Sequence, residues 1–206
     1  MYKTAGLACA LLFVFAATAS ARNLTPTTFL ASYRMMEETG EVMPIRSCAA
    51  ASDLKIVDAR SESADGRRFL EEKPDVEQPI TMNGDIAAWV RSGVDTLSRH
   101  ALLKFGATGK PAFEIRVESL WIEESVYRRA EFDGRVVLGV TVSPAQGGQP
   151  CWSERVDGFA ENYGYAGKEE NYQETINHAL DRAILKAFSA SGFADALCGC
   201  GETPKP

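Results

Sequence analysis

Apolar residues recur at helical spacing in a stretch that begins after residue 82. The side chain of Asn83 or Asp85 can cap its first turn, and Gly106 and Gly109 are expected to end it. Polar residues fall on the opposite side, so the pattern predicts an amphipathic helix with one buried stripe. The stripe consists of Ile86, Trp89, Val90, Val94, Leu97 and Ala101.

A second helical stretch, near the C-terminus, has the clearest periodicity in the chain. Asn171 stands at the expected cap, and Glu174 follows it as in a capping box. Gly192 is expected to end this helix. We expect its apolar stripe to supply a large part of the core. The stripe comprises Tyr172, Ile176, Ala179, Leu180, Ala183, Ile184, Ala187 and Phe188.

Strand patterns fill the region between the two predicted helices. The stretch 113–118 alternates apolar and polar residues, which predicts a strand with one face in contact with water. The alternation slips near Ser119, and either a β-bulge or a strand covered on both faces would account for the slip. Asp133-Gly134 then predicts a tight turn before a returning strand. A third long strand is predicted from Cys151 onward.

Two more strands are predicted before the first helix. The stretch Leu54–Arg60, "LKIVDAR", indicates the earlier one. A polar stretch rich in charge and proline follows, and we predict a loop there with a short edge strand at Pro79–Met82. The order of elements predicts a single α+β domain, with a mixed, mainly antiparallel sheet and two amphipathic helices packed on one face.

These patterns also divide the chain into segments. Residues 22–52 are predicted to be a lead-in, with one short helical possibility at Thr28–Glu38. We predict a signal peptide at 1–21, the lead-in at 22–52, the α+β domain at 53–192 and a Cys/Gly/Pro tail at 193–206.

The N-terminus has the three parts of a secretory signal peptide. Lys3 precedes an apolar core at 5–17, and Ala19-Ser20-Ala21 fits the small-residue rule for cleavage. The core is shorter than the roughly 20 residues that span a bilayer, which counts against the alternative of an uncleaved membrane anchor. Export to the periplasm or outer membrane, or secretion, is therefore expected.

Four of the five cysteines remain after cleavage at that site. An even number in an exported chain favours disulfides, with the connectivity left open. Both a metal site and a redox site would favour two cysteines with two residues between them, C-x-x-C, and that spacing does not occur in the chain. The disulfide candidates are Cys48, Cys151, Cys198 and Cys200.

The formal net charge of −6 gives the chain no general attraction for nucleic acid. The arginine doublets at 67–68 and 128–129 are balanced by glutamate doublets, so we expect solvated faces there. Membrane contact and oligomeric state are left open by the sequence.

Catalytic patterns are missing from the sequence. The two histidines are His100, at the margin of the first helical stripe, and His178, expected to face water. Glu174, His178 and Asp181 would make a weak metal site, and ordinary polar neighbours on a surface helix explain them better. No serine lies in G-x-S-x-G, and no glycine-rich loop opens a helix. We expect no enzyme activity, metal or cofactor.

Aromatic residues cluster near the third strand and the last helix. They could line a groove for a peptide or glycan, or cap the end of the sheet, because tyrosine and tryptophan suit both roles. The candidate binding patch consists of Trp152, Tyr163, Tyr165 and Tyr172.

Between residues 54 and 190 the chain contains the strand "IVDAR", the hairpin "FEIRVESLWIEESVYRRAEFDGRVVLGVTV" and the run "WSERVDGFAENYGYAG" before a helix. This layout resembles the YajG-like bacterial envelope (lipo)protein family, and is similar to that of the TolB N-terminal domain and LpoB-type accessory proteins. The resemblance implies a module without catalytic residues that works through protein contacts in the envelope.

The function expected from sequence is that of an exported, non-catalytic cell-envelope accessory protein with a protein partner. The alternative is a secreted binding module or inhibitor that recognises a cell-wall or peptide ligand, through the loop 144–150 or 158–168. A third possibility is an enzyme with an unrecognised site, which would require one of the histidines to lie beside carboxylates in a pocket.

Overall fold

The structure is a computed structural model that describes residues 26–36, 45, 50–51, 53–61, 64–108 and 110–200. The predicted signal peptide 1–21, Cys48 and Gly109 lie outside these ranges. Within them the elements are β1 (Thr27–Leu30), β2 (Asp53–Asp58), β3 (Gly66–Leu70), β4 (Lys73–Asn83), α1 (Ile86–His100), β5 (Ala112–Val126), β6 (Ala130–Ser143), β7 (Trp152–Gly164), α2 (Glu169–Ser189) and α3 (Phe193–Gly199).

The seven strands of the described residues belong to one mixed sheet, in which six follow the order β1-β4-β3-β5-β6-β7 and β2 pairs with β5. Strands β5, β6 and β7 form an antiparallel meander, and β4 is antiparallel to β3. The other edge of β5 is shared, since β2 runs parallel to its first half and β3 to its second half. The predicted α+β fold with a mixed sheet is confirmed.

Helices α1 and α2 pack against each other, and α2 lies across β6 and β7. Asp85 caps α1, because its carboxylate accepts a hydrogen bond from the amide of Ala88 at 2.9 Å. The predicted stripe of α1 is buried, as is that of α2. Helix α1 ends at His100, before the predicted glycines, and Leu102 follows with a positive φ of 58°.

The phase slip in β5 is a β-bulge, which is one of the two predicted explanations. The register with β6 shifts between Val117 and Ser119, which leaves Glu118 as the extra residue. The apolar residues on both sides of the bulge therefore face the same core. The Glu118 carboxylate points to the other face, where it accepts a hydrogen bond from Arg155 Nε at 2.7 Å.

The predicted tight turn at Asp133-Gly134 is wrong. Gly134 lies inside β6, paired with Ile122 on one side and Ala160 on the other, and the hairpin turns at residues 127–129. A Cβ atom at Gly134 would lie 2.8 Å from Thr175 Cγ2 on α2. The glycine is there because the helix passes close over the strand.

The segment predicted as a lead-in contributes a strand where a short helix was considered. Residues 27–30 pair in parallel with the end of β4, so Pro79–Met82 is not at an edge. Phe29 is buried and stacks on Tyr172 with ring centroids 5.6 Å apart. The segment forms a strand because that conformation buries the aromatic ring, which outweighs the local tendency to form a helix.

The charged stretch predicted as a loop forms the β3–β4 hairpin. Most of β4 is exposed, and its first buried residue is Ile80. Because few of its side chains enter the core, the hairpin lacks the apolar alternation that would reveal it in the sequence.

Two predictions at the ends of α2 are also wrong. The helix begins at Glu169, so Asn171 lies inside it and is not the cap, and its side-chain amide donates to the carbonyl of Tyr165 at 2.9 Å. The helix ends at Ser189, and Gly192, with φ of 83°, is the N-cap residue that precedes α3. The core extends beyond the predicted boundary at 192, because Phe193 and Leu197 are buried.

Candidate functional site

The four aromatic residues of the predicted binding patch do not form one site. Tyr172 is fully buried in the core. Trp152 and Tyr163 lie near opposite ends of β7, a strand of 13 residues, which at about 3.3 Å per residue separates its ends by about 40 Å. Only Tyr163 and Tyr165 remain together, and both are exposed.

Trp152 belongs to a structural corner of the molecule. Its indole Nε1 donates to the carbonyl of Ser191 at 3.0 Å, and its ring meets that of Phe193 edge-on at 5.2 Å. The neighbouring residue, Cys151, forms a disulfide with Cys200, which lies 49 positions later in sequence, and their Cα atoms are 5.8 Å apart. The disulfide joins the end of α3 to the start of β7.

The remaining disulfide candidates are Cys198 and Cys48. Cys198 also takes part in a disulfide, and it is not bonded to Cys200. Cys48 lies outside the described residues. The structure thus assigns the predicted disulfide role to Cys151, Cys198 and Cys200.

The histidines lie on different helices. His100 is exposed at the end of α1, and His178 is half-buried on α2, where it was expected to face water. Asp181, one of its suggested metal-ligand neighbours, is fully buried and accepts hydrogen bonds from Tyr33 Oη at 2.8 Å and the amide of Met36 at 2.7 Å. Over the described ranges, no group of three or more potential ligand residues is placed to hold a metal ion.

A cleft of about 720 Å³ opens at the end of the sheet where Tyr163 and Tyr165 lie. Three segments meet there: the β5–β6 turn, the end of β7 with the loop after it, and the end of β3. The register explains the meeting, because Val126 pairs with Ala130 and Ala130 pairs with Gly164. The polar and aromatic lining consists of Arg68, Tyr127, Arg128, Arg129, Tyr163 and Tyr165, which we call the Arg/Tyr cleft.

A buried carboxylate lies beneath this cleft. Glu124 is fully buried, and Arg68 Nε approaches its Oε2 at 2.9 Å as an ion pair. Tyr172 donates its hydroxyl proton to the same oxygen, and the amide of Gly167 donates to Oε1 at 2.9 Å. Gly167 has φ of 69°, and a Cβ there would lie 3.2 Å from the Arg68 guanidinium.

Glu124 therefore holds three parts of the fold together beneath the cleft. It contacts β3 through Arg68, helix α2 through Tyr172 and the loop after β7 through Gly167. Burial raises the pKa of Tyr172, and the hydrogen bond to the Glu124 carboxylate raises it further. The phenol consequently stays protonated and keeps donating to Glu124.

The arginines at the rim are differently placed. Arg128 and Arg129 are exposed on the β5–β6 turn, and among the described residues neither has an ion-pair partner. The Arg128 guanidinium lies 5.5 Å from the centre of the Tyr127 ring, within the range of a cation–π contact. Tyr163 Oη donates to Glu131 at 3.1 Å, which raises the pKa of that tyrosine. Within the described ranges, the rim thus offers two positive charges without an ion-pair partner, beside exposed aromatic rings.

Sequence reasoning missed the arginines of this site. The balance between arginine and glutamate doublets predicts only a solvated face for the doublet Arg128-Arg129. Its position in a hairpin turn next to Tyr127 was the available signal, and the misplaced turn at Asp133-Gly134 concealed it.

The face of the sheet opposite the helices carries a second, smaller cavity of about 360 Å³. Trp121 and Phe159 contribute its apolar part, and Phe159 is 46% exposed. Acidic residues surround it, and burial, together with Glu131, Glu161 and Glu123, raises the pKa of Asp133.

In the described part of the chain no helix is long and apolar enough to cross a membrane.

Comparisons with known proteins concern the fold. No protein-family model and no curated protein matches the chain. Among solved structures it is similar to protein XCC0632 from Xanthomonas campestris, of the family model DUF330, with a TM-score of 0.51 and 9% sequence identity. The similarity covers 83% of this chain and 95% of that one. At so low an identity the likeness shows a shared architecture.

Proposed function

We propose that the chain is an exported, non-catalytic accessory protein of the bacterial cell envelope that acts through protein–protein contacts. The observation that carries this proposal is the Cys151–Cys200 disulfide, together with the disulfide-bonded state of Cys198. Structural disulfides persist in oxidising compartments such as the periplasm and are rare in the cytosol. A secretory leader at the predicted position would deliver the chain there.

A relationship to the YajG-like family, and in layout to the TolB N-terminal domain and LpoB-type proteins, forms part of this proposal. The mixed sheet with two amphipathic helices supports it, as does the likeness in fold to a bacterial protein.

Exposed aromatic residues support a role in protein contacts. Phe159, Tyr163 and Tyr165 are 46%, 60% and 81% exposed. They follow one another along the end of β7 and the loop after it, and exposed apolar patches commonly mark interaction sites. Aromatic residues are also enriched among those that dominate binding energy at protein interfaces.

The alternative function, a secreted binding module for a peptide or cell-wall ligand, is favoured by one observation. The Arg/Tyr cleft has the size range of about 300–1,000 Å³ that is usual for ligand sites, and it includes Tyr163 and Tyr165 from the predicted patch. Binding of purified cell wall that is lost when both tyrosines are replaced by alanine would support this alternative.

Crosslinking in living cells followed by affinity purification tests the first proposal. The tagged protein should return one reproducible envelope protein, and a variant with Phe159→Ala and Tyr163→Ala should return much less of it. Thr141→Ala with Ser153→Ala, on the same face of the sheet but toward its other end, is the matched control. Recovery of no reproducible partner would contradict the proposal.

A further inference from the structure

The Arg/Tyr cleft concentrates positive charge in an acidic chain. The chain carries a net charge of −6, yet Arg68, Arg128 and Arg129 all line this one cavity. Glu124 neutralises Arg68 from below. Since Arg128 and Arg129 have no carboxylate partner in the part of the chain that the structure describes, the rim retains about two positive charges.

We propose that the Arg/Tyr cleft binds a short acidic peptide segment of a partner protein, with Arg128 and Arg129 pairing its carboxylates and Tyr127 and Tyr165 contacting its chain. This assignment rests on the proposed function in that it takes the ligand to be part of a protein. Guanidinium groups bind carboxylates through two parallel hydrogen bonds, which makes arginine well suited to this recognition.

The charge distribution selects a short anionic ligand. A long polyanion such as nucleic acid, or an anionic membrane surface, would meet the acidic remainder of the chain and be repelled. A peptide of a few residues meets only the cleft. Its main-chain groups can also hydrogen-bond to tyrosine hydroxyls, and Tyr165 is 81% exposed and available for such contact.

The floor of the cleft is already arranged before a ligand arrives. The Glu124 carboxylate fixes Arg68 from β3 and the amide of Gly167 from the loop that carries Tyr165. The Asn171 side chain holds the same loop, because it donates to the carbonyl of Tyr165 at 2.9 Å. Segments that are ordered in advance cost less conformational entropy on binding.

Titration calorimetry at low ionic strength tests the proposal, with synthetic octaglutamate as the probe and octaglutamine as its neutral counterpart. The wild-type protein should bind octaglutamate with an affinity that falls as salt is added. It should not bind octaglutamine. Charge reversal in the Arg128→Glu and Arg129→Glu double variant should lower the affinity at least tenfold. Tyr165→Ala should lower it several-fold.

The matched control is Arg99→Glu with Lys104→Glu. Both residues are exposed at or beyond the end of α1, and the pair changes the net charge by the same amount. It should retain wild-type affinity apart from a small long-range effect. Circular dichroism and thermal unfolding establish that both double variants are folded. Equal loss in the two double variants, or no octaglutamate binding by the wild type, would overturn the proposal.

Two results separate this proposal from the proposed function. If the Arg128→Glu and Arg129→Glu variant still returns the wild-type partner on crosslinking, the accessory function stands and the cleft assignment falls. If octaglutamate binds through the cleft and crosslinking returns no partner, the cleft assignment stands and the accessory function falls. Equal affinity for free glutamate and octaglutamate would show a small-anion site and overturn the peptide assignment.

Discussion

The hydroxyl of Tyr172 on α2 donates a hydrogen bond to the carboxylate of Glu124 on β5, and both residues are fully buried. The same carboxylate pairs with Arg68, whose side chain is 14% exposed. A buried charge is tolerated only where partners replace the lost water. The contact therefore ties α2 to the sheet directly beneath the Arg/Tyr cleft.

Replacing Glu124 by glutamine should destabilise the protein substantially. The amide cannot neutralise Arg68, and loss of one partner of a buried ion pair typically costs about 3–5 kcal/mol. We expect the free energy of unfolding, measured by urea denaturation, to fall by about 3 kcal/mol.

Glu123→Gln is the matched control for this measurement. Glu123 precedes Glu124 in β5, points to the opposite face and pairs with Arg67, with side chains 27% and 42% exposed. Exposed ion pairs contribute about 0–1 kcal/mol, so the control should lose less than about 1 kcal/mol. Equal losses in the two variants would show that Glu124 is not a central contact.

Stability should fall at alkaline pH because of Tyr172. Burial, and then the contact with Glu124, raises the pKa of its phenol above the usual value of about 10. Below pH 10 the folded and unfolded states both keep the proton, so the stabilisation is fully present. Above about pH 10 the unfolded state releases it while the folded state does not, and stability declines as pH rises.

Urea denaturation between pH 9 and pH 11 measures this decline. One retained proton gives a slope of at most about 1.4 kcal/mol per pH unit. Tyr172→Phe should reduce the slope by up to that amount whatever its effect at neutral pH. Some slope should persist, because burial and Asp181 raise the pKa of Tyr33 as well. Superimposable slopes would contradict the assigned role of Tyr172.

Close packing of α2 on β7 makes Gly158 hard to replace. A Cβ there would lie 1.9 Å from the carbonyl oxygen of Ala179 and 2.5 Å from the amide nitrogen of Ala183, both backbone atoms that cannot move aside separately. Gly158→Ala should lower the free energy of unfolding by about 3 kcal/mol.

Gly139→Ala provides the comparison on the neighbouring strand. Its Cβ would lie 2.6 Å from Oε1 of Glu118, the mobile end of a side chain that can rotate away. We expect a loss below about 1 kcal/mol. If Gly158→Ala proved as mild as Gly139→Ala in thermal unfolding, the contact between α2 and β7 would be looser than described.

The parts of the fold that sequence predicted are those decided by local periodicity. The stripe from Ile86 to Leu97 predicted α1, and the phase slip near Ser119 predicted a bulge as one of two explanations, because in both cases the signal lies in the spacing of neighbouring residues. Tyr172 shows a conflict within the predictions themselves. The sequence predicts it both in a buried helical stripe and in the candidate binding patch, and the structure shows it buried.

The errors occur where tertiary contacts override local signals. Asp133-Gly134 has the composition of a turn, yet the glycine serves the approach of Thr175. Asn171 has the composition of a cap, yet its side chain holds the loop at Tyr165. The cleft depends on the register that sets Ala130 beside Gly164, and a turn placed a few residues late shifts that register.

Non-reducing peptide mapping by mass spectrometry, on protein purified from the cells that make it naturally, tests the export proposal most directly. The account predicts an envelope-located protein that begins at Arg22 and yields a peptide pair linked through Cys151 and Cys200, which separates on reduction. A cytosolic protein that retains residues 1–21, with free thiols at Cys151 and Cys200, would contradict it.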